Sequence, residues 1–267
     1  MKVAARAGVV VAVGVLLALA GCGPSPTTPS SDATRAVARG TRTQQPPSAS
    51  ATGATAAGGS AAVDPSAPSS KAVLAKAEAR AKALRSGAYE ARFTGGKEPV
   101  RISFRGSRTD YAILLVVGAT EAVFYIHGAT AYIRGNAQFW AQARTPDPGK
   151  DVFVEVPTNR IGPATDLTLE KTLRQLITTA RARVVPEVTN AESQGISSWS
   201  LTDRRGARAG SVYISKDTFD VIRVSDRDQD GATFEFYGWN DTFAVPTPPR
   251  SKILKGPPRG GVSGYTA

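Results

Sequence analysis

The sequence predicts an α+β fold, a large antiparallel β-sheet with helices on one side. Three observations carry that prediction. The chain runs as one amphipathic helical stretch, six segments of period two, a second helical stretch and four more period-two segments. Turn residues separate the period-two segments at short intervals, as hairpin-connected strands require. One stretch, Tyr111 to Val117, is apolar on both of its faces, which marks a strand deep inside a sheet.

The elements follow in order along the 267 residues. Lys2 and Arg6 precede an uncharged run from Ala7 to Ala20, and Leu19-Ala20-Gly21-Cys22 comes next. A short positive region followed by an apolar run and small residues has the layout of a signal peptide, here residues 1–21. The run is shorter than the ~20 residues that cross a bilayer as a helix. Leu-Ala-Gly-Cys resembles the lipobox of bacterial lipoproteins. That resemblance implies a diacylglyceryl group on Cys22 and cleavage just before it. The expected location is extracytoplasmic, on the outer leaflet of the cytoplasmic membrane. Ordinary secretion, with cleavage after the Ala18-Leu19-Ala20 pattern, is the alternative.

Of the 48 residues from Gly23 to Ser70, 39 are Ala, Ser, Thr, Pro or Gly, and none is aromatic, Leu or Ile. Such a segment has nothing to close a core with. Residues 22–70 are therefore expected to be a disordered tether. As a coil it spans about 40 Å end to end.

The folded domain is expected over 71–248. Ser69-Ser70 caps a helix from Lys71 to about Ser86, whose stripe is Val73, Leu74, Ala77, Ala81 and Leu84, with Gly87 beyond. Strands are expected at 89–94, 99–106, 110–117, 121–127, 130–134 and 151–156. In the second of these, Val100, Ile102 and Phe104 alternate with Arg101, Ser103 and Arg105. A second helix from Asp166 to about Arg181 places Leu169, Leu173, Leu176, Ile177 and Ala180 on one stripe. Strands at 195–203, 208–215, 219–225 and 232–238 complete the sheet. Because 111–117 and much of 122–126 are apolar on both sides, the second face there also has to be shielded, by a helix, another subunit or a bound apolar ligand. The segment 249–267 is basic, rich in Gly and Pro, and expected to be a disordered tail.

Composition and motifs exclude several functions. The formal charge of +11 suggests nucleic acid, but the excess is dispersed, with Lys2 and Arg6 at one end and Arg250, Lys252, Lys255 and Arg259 at the other. No nucleic-acid partner is expected. One Cys and one His cannot make a Cys/His zinc cluster, and a histidine-based catalytic site would have to use His127 alone. His127 ends a strand before Gly128 and reads as a turn residue. No GxSxG, HExxH, Walker A or GxGxxG motif occurs. Asp226-Arg-Asp-Gln-Asp-Gly231 copies half of a calcium loop, but Tyr237 stands where the bidentate Glu belongs and strands flank it. A polar hairpin turn is the expectation. Trp140, Trp199 and Trp239 read as core before ligand-cleft residues. Neither catalysis, a metal nor a cofactor is expected.

Several stretches are similar to the actinobacterial LppX/LprG-type lipoproteins: Ser86-Gly87-Ala88-Tyr89 after the first helix, Phe124-Tyr125-Ile126-His127-Gly128, Ala131-Tyr132-Ile133-Arg134-Gly135 followed by Phe139-Trp140, and Phe236-Tyr237-Gly238-Trp239 before Val245-Pro246. The Ala-rich, Arg-over-Lys composition is compatible with such a source. The resemblance covers about residues 71–248. It implies a LolA-like half-barrel, a large curved antiparallel sheet with helices packed on the concave face, and an apolar cavity holding a lipid or lipoglycan. The expected function is a membrane-anchored envelope lipoprotein that binds or carries an acyl-chain-containing ligand. The wall residues expected for that cavity are Ile113, Leu115 and Val117 with Phe124, Leu173 and Ile177, periodicity alone leaving open which alternate set of 111–117 faces inward. The alternative is a protein-interaction or sensory module with a filled core. Cys22→Ser is expected to release the protein into the medium; a membrane fraction that retains all of it argues against lipidation.

Overall fold

The computed structural model describes residues 67–226 and 231–256. The expected signal peptide, Cys22 and the tether up to residue 66 lie outside the described residues, as do 227–230 and 257–267. Among the described residues, no helix is long and apolar enough to cross a membrane.

Twelve strands form one sheet: β1 (Ser86–Phe93), β2 (Val100–Ser107), β3 (Asp110–Val117), β4 (Thr120–His127), β5 (Thr130–Gly135), β6 (Phe153–Pro157), β7 (Thr189–Ser193), β8 (Ile196–Thr202), β9 (Gly210–Ser215), β10 (Val221–Asp226), β11 (Ala232–Tyr237) and β12 (Ile253–Lys255). The spatial order is β12-β6-β5-β4-β3-β2-β1-β11-β10-β9-β8-β7. Every pairing is antiparallel except β12 with β6. The sheet has two edges and is not closed into a barrel.

The helices are α1 (Ser70–Ala83), α2 (Ala137–Gln142) and α3 (Leu169–Arg183). The Ser69 hydroxyl caps α1 by accepting the Ala72 N–H at 3.3 Å, and Val73, Leu74, Ala77 and Ala81 are buried along one stripe. In α3 the buried stripe is Leu169, Thr172, Leu173, Leu176, Ile177 and Ala180. Glu170 in its first turn and Arg181 and Arg183 in its last complement the helix dipole.

Register explains why all three helices lie on the same face. Phe236, Tyr89, Phe104, Ile113, Phe124, Ile133 and Val154 stand directly opposite one another on successive strands, an unbroken apolar row across β11, β1, β2, β3, β4, β5 and β6. A second row runs Ala122, Leu115, Ile102, Ala91, Phe234, Val224, Val212 and Leu201. The α1 and α3 stripes join these rows in one core. Gly87 permits a close approach of α3, because a β-carbon there would sit 2.7 Å from Leu169 Cδ2. Through α2, Phe139 packs edge-on against Phe124 at 6.2 Å, and the Trp140 Nε1–H donates to Gly135 O at 3.0 Å. One buried polar contact fastens α3 to the centre of the sheet. The Tyr89 hydroxyl donates to Leu167 O at 2.7 Å, and Thr172 Oγ1 lies 3.4 Å from it. Burial drives the Tyr89 phenol far above its ordinary pKa, so it stays a neutral donor.

Part of the shielding of the second face comes from the chain itself. Ala112, Val123 and Phe153 point away from the helices yet are 7%, 8% and 7% exposed. The segment after β11 crosses that face. Its root is bound to the start of β1, where Asn240 N–H donates to Ser86 O, Asn240 Oδ1 accepts Arg85 N–H and Ser86 Oγ donates to Asp241 O. It passes His127, whose Nε2 lies 3.3 Å from Pro246 O, and then reaches β12 beyond β6, which requires it to cross β5 and β6. Tyr125 stacks on Phe153 at 5.5 Å beside its path.

Of the expected disordered tail at 249–267, residues 257–267 lie outside the described residues, and the described part, up to residue 256, is ordered. Residues 250–252 form a 3-10 turn and Ile253–Lys255 pair with Phe153–Glu155, because the open edge of β6 offers backbone hydrogen-bond partners that composition does not reveal. Helix boundaries shift as well. α1 ends at Ala83, since Arg85 and Ser86 are taken by Asn240, Asp241 and the β2 pairing, and α3 starts at Leu169 after a 3-10 turn at Gly162–Asp166. Tyr89→Phe is expected to cost about 1–2 kcal/mol in urea unfolding, because it strands a buried carbonyl. An unchanged midpoint removes the proposed fastening.

Candidate functional site

The expected wall residues come together on the helix side. Ile113, Leu115, Phe124, Leu173 and Ile177 are 0%, 5%, 5%, 0% and 2% exposed within the common core, and Val117 packs against it. The inward set on β3 is thus Tyr111, Ile113, Leu115 and Val117. The six expected wall residues touch neighbouring side chains and line none of the clefts described below.

Space occurs at the two ends of α3. At its C-terminal end, a void of about 40 Å³ lies between Leu176, Ala180 and Val184 and the inward side chains of β8 to β11. That is room for a few water molecules and far below the ~300–1,000 Å³ of ligand pockets. An ion network borders it. Arg183 reaches Asp226 at 2.6 Å and Asp203 at 3.2 Å, and Arg205 reaches Asp203 at 2.9 Å. The Arg205 guanidinium, ahead of Arg183, holds the buried Asp203 carboxyl below its ordinary pKa.

At the N-terminal end a cleft of about 310 Å³ opens between the end of α1, the β2–β3 hairpin and the start of α3. Its floor is apolar. Ala81, Leu84, Tyr111 and Leu169 line it and belong to the core, so cleft and core are continuous. Burial raises the Tyr111 phenol, keeping the floor uncharged. Gly106, at φ +141°, allows the hairpin to turn beneath, since a β-carbon there would collide with the Asp110 carbonyl. Ser107 Oγ shapes the hairpin tip by accepting the Asp110 and Thr109 N–H groups at 3.0 and 3.3 Å.

The rim is charged. Glu170 Oε1 lies 2.7 Å from Arg174 Nη2 and Oε2 lies 3.5 Å from Arg108 Nε, so one carboxylate bridges α3 to the hairpin. Arg108 Nη2 also donates to Lys82 O at 2.6 Å, at the end of α1. Arg85 and Lys171 complete the rim, and Lys171 pairs with Asp166 at 2.9 Å. A more open groove of about 390 Å³ adjoins along Lys82 to Arg85 and Ser107 to Thr109. Sequence reasoning missed this cleft, because its rim comes from three separated segments that no motif joins.

The other candidates are occupied by structural contacts. His127 ends β4, with Nδ1 3.4 Å from Asp110 Oδ1 and Nε2 on the crossing segment. Asp226, first of the half calcium loop, is engaged by Arg183, and the pairing of Asp226 with Ala232 makes the loop a hairpin connection. Among the described residues no three His, Cys, Asp or Glu side chains are grouped to hold a metal ion. Trp140 is buried, Trp239 stacks on Phe236 at 5.9 Å, and Trp199 carries Lys216 Nζ 4.5 Å from its ring centre.

The stabilisation from Asp203 is fully present above the unfolded carboxylate value of ~3.9 and is lost as pH falls through its lower folded value. Asp203→Asn is therefore expected to lower the melting temperature at neutral pH, with the gap to the parent closing below about pH 4. A gap of constant size across that range contradicts the ion network.

Neither a protein-family model nor a curated protein matches the chain. Among solved structures the chain is similar to an uncharacterized conserved protein from Thermus thermophilus, at 10% identity over 70% of this chain and 98% of that one, with a TM-score of 0.35. It is also similar to MucB in the Pseudomonas aeruginosa MucA/MucB complex, at 12% identity over 65% of this chain and 58% of that one (TM-score 0.33). A second structure, MucB in complex with MucA(peri), gives 12% identity over 66% and 56% and a TM-score of 0.28.

Proposed function

We propose that this chain is an envelope lipoprotein anchored to the membrane through Cys22, and that its domain binds an acyl-chain-containing lipid or lipoglycan rather than catalysing a reaction. The observation that supports this is the cleft of about 310 Å³, whose apolar floor runs into the core under a charged rim. An apolar surface beneath a polar mouth suits a molecule with both kinds of surface.

The six residues expected to wall a cavity lie in or against the core and not in this cleft. The ligand's apolar part starts in the cleft, on Leu84, Tyr111 and Leu169, and reaches Ile113, Leu115, Val117, Phe124, Leu173 and Ile177 only if α1 and α3 lift from the sheet. Each Å² of apolar surface buried contributes ~25 cal/mol, against which stand association and the breaking of core contacts. A second reading, a protein-interaction module with a filled core, draws support from the void of only about 40 Å³ under α3.

Native mass spectrometry separates the two. The chain from residue 22 on, in the Cys22→Ser form and recovered from cells rich in envelope lipids, is expected to carry a consistent added mass. A clean apo mass that persists after incubation with those lipids rejects carriage and leaves the interaction module.

A further inference from the structure

The rim of the cleft is unbalanced in charge. Arg85, Arg108, Lys171 and Arg174 line it against the single carboxylate of Glu170. Lys171 is engaged by Asp166 just outside. Glu170 divides its two oxygens between Arg108 and Arg174, which holds two guanidinium groups at one mouth with one negative charge between them. The Arg85 side chain makes no hydrogen bond or ion pair among the described residues, whereas its backbone N–H is fixed by Asn240 Oδ1 at 3.0 Å. An unengaged guanidinium on a fixed backbone beside a pre-positioned pair is an arrangement for oxygen anions, whose geometry the guanidinium fork matches. Excess positive charge over an apolar floor also concentrates the field at the mouth.

We propose that the cleft selects an amphiphile with an anionic headgroup, a phosphate or carboxylate, held by Arg85, Arg108 and Arg174 while its apolar part lies on Leu84, Tyr111 and Leu169. This rests on the amphiphile-binding reading above and adds the charge of the headgroup and the residues that read it. Glu170 acts as a positioning residue that keeps the two arginines facing the mouth.

Isothermal titration calorimetry on the chain from residue 22 on, in the Cys22→Ser form, tests this with three probes below their micelle-forming concentrations: dodecyl phosphate, dodecyl maltoside and inorganic phosphate. Dodecyl phosphate is expected to bind at least about tenfold more tightly than dodecyl maltoside. Arg85→Glu is expected to remove most of that difference while leaving the melting temperature unchanged, since the Arg85 side chain has no structural partner to lose. Arg108→Ala is expected to act in the same direction. Equal affinities for the phosphate and maltoside probes overturn the headgroup inference and leave the amphiphile reading standing. Inorganic phosphate binding as tightly as dodecyl phosphate also overturns it, because the chain then contributes nothing and the site is one for a free anion. Failure of both dodecyl probes to bind rejects the amphiphile reading and this inference with it.

Discussion

The domain depends on holding two antiparallel helices against a row of apolar side chains that spans seven strands. A large side chain contributes about 1.5–3 kcal/mol when fully buried, and the row exists only because the hairpin registers place Phe236, Tyr89, Phe104, Ile113, Phe124, Ile133 and Val154 opposite one another. A slip of one residue in any strand would turn its share of the row to the other face. Apolar contact alone leaves a helix able to slide along such a surface. The Tyr89 hydroxyl, bonded to Leu167 O, fixes where α3 begins.

That fixed start gives α3 two different ends. At Arg183, Asp226 of β10 and Asp203 just past β8 close around one guanidinium beside a void with little room. At Glu170 the arrangement is inverted, with one carboxylate between two arginines, and the space there stays open. The same kind of interaction seals one end and props the other: charges balance around Arg183, where Arg205 also pairs with Asp203, and cations are in excess around Glu170.

The sequence made the architecture legible where one period dominates. The stripe of α1, the alternation of β2 and the doubly apolar β3 are each repeated patterns, and each appears where it was expected. β7, with the sequence Thr-Asn-Ala-Glu-Ser, has no apolar alternation and owes its form to pairing with β8 at the sheet edge. β12 is three residues between prolines and cations, and only a partner strand far back along the chain makes it a strand. Of the candidate site, periodicity showed that one alternate set of 111–117 faces the helices but not which set, nor whether space lay between it and the helices, because packing is a property of facing surfaces. Arg85, Arg108 and Arg174 were invisible as a group for the same reason.

The direction of α1 has a consequence for how the molecule is presented. Its first residue is held by a bond from Ser70 N–H to Pro186 O, beside the closed end of α3, while Ala81 and Leu84, at and just past its last turn, line the open cleft. Fourteen residues of helix separate these points by about 20 Å. Whatever is joined to the protein ahead of Ser70 therefore enters the domain about one helix length from the arginines of the cleft, so a pull on the start of α1 is taken up by the helix and the Pro186 carbonyl before it reaches the opening.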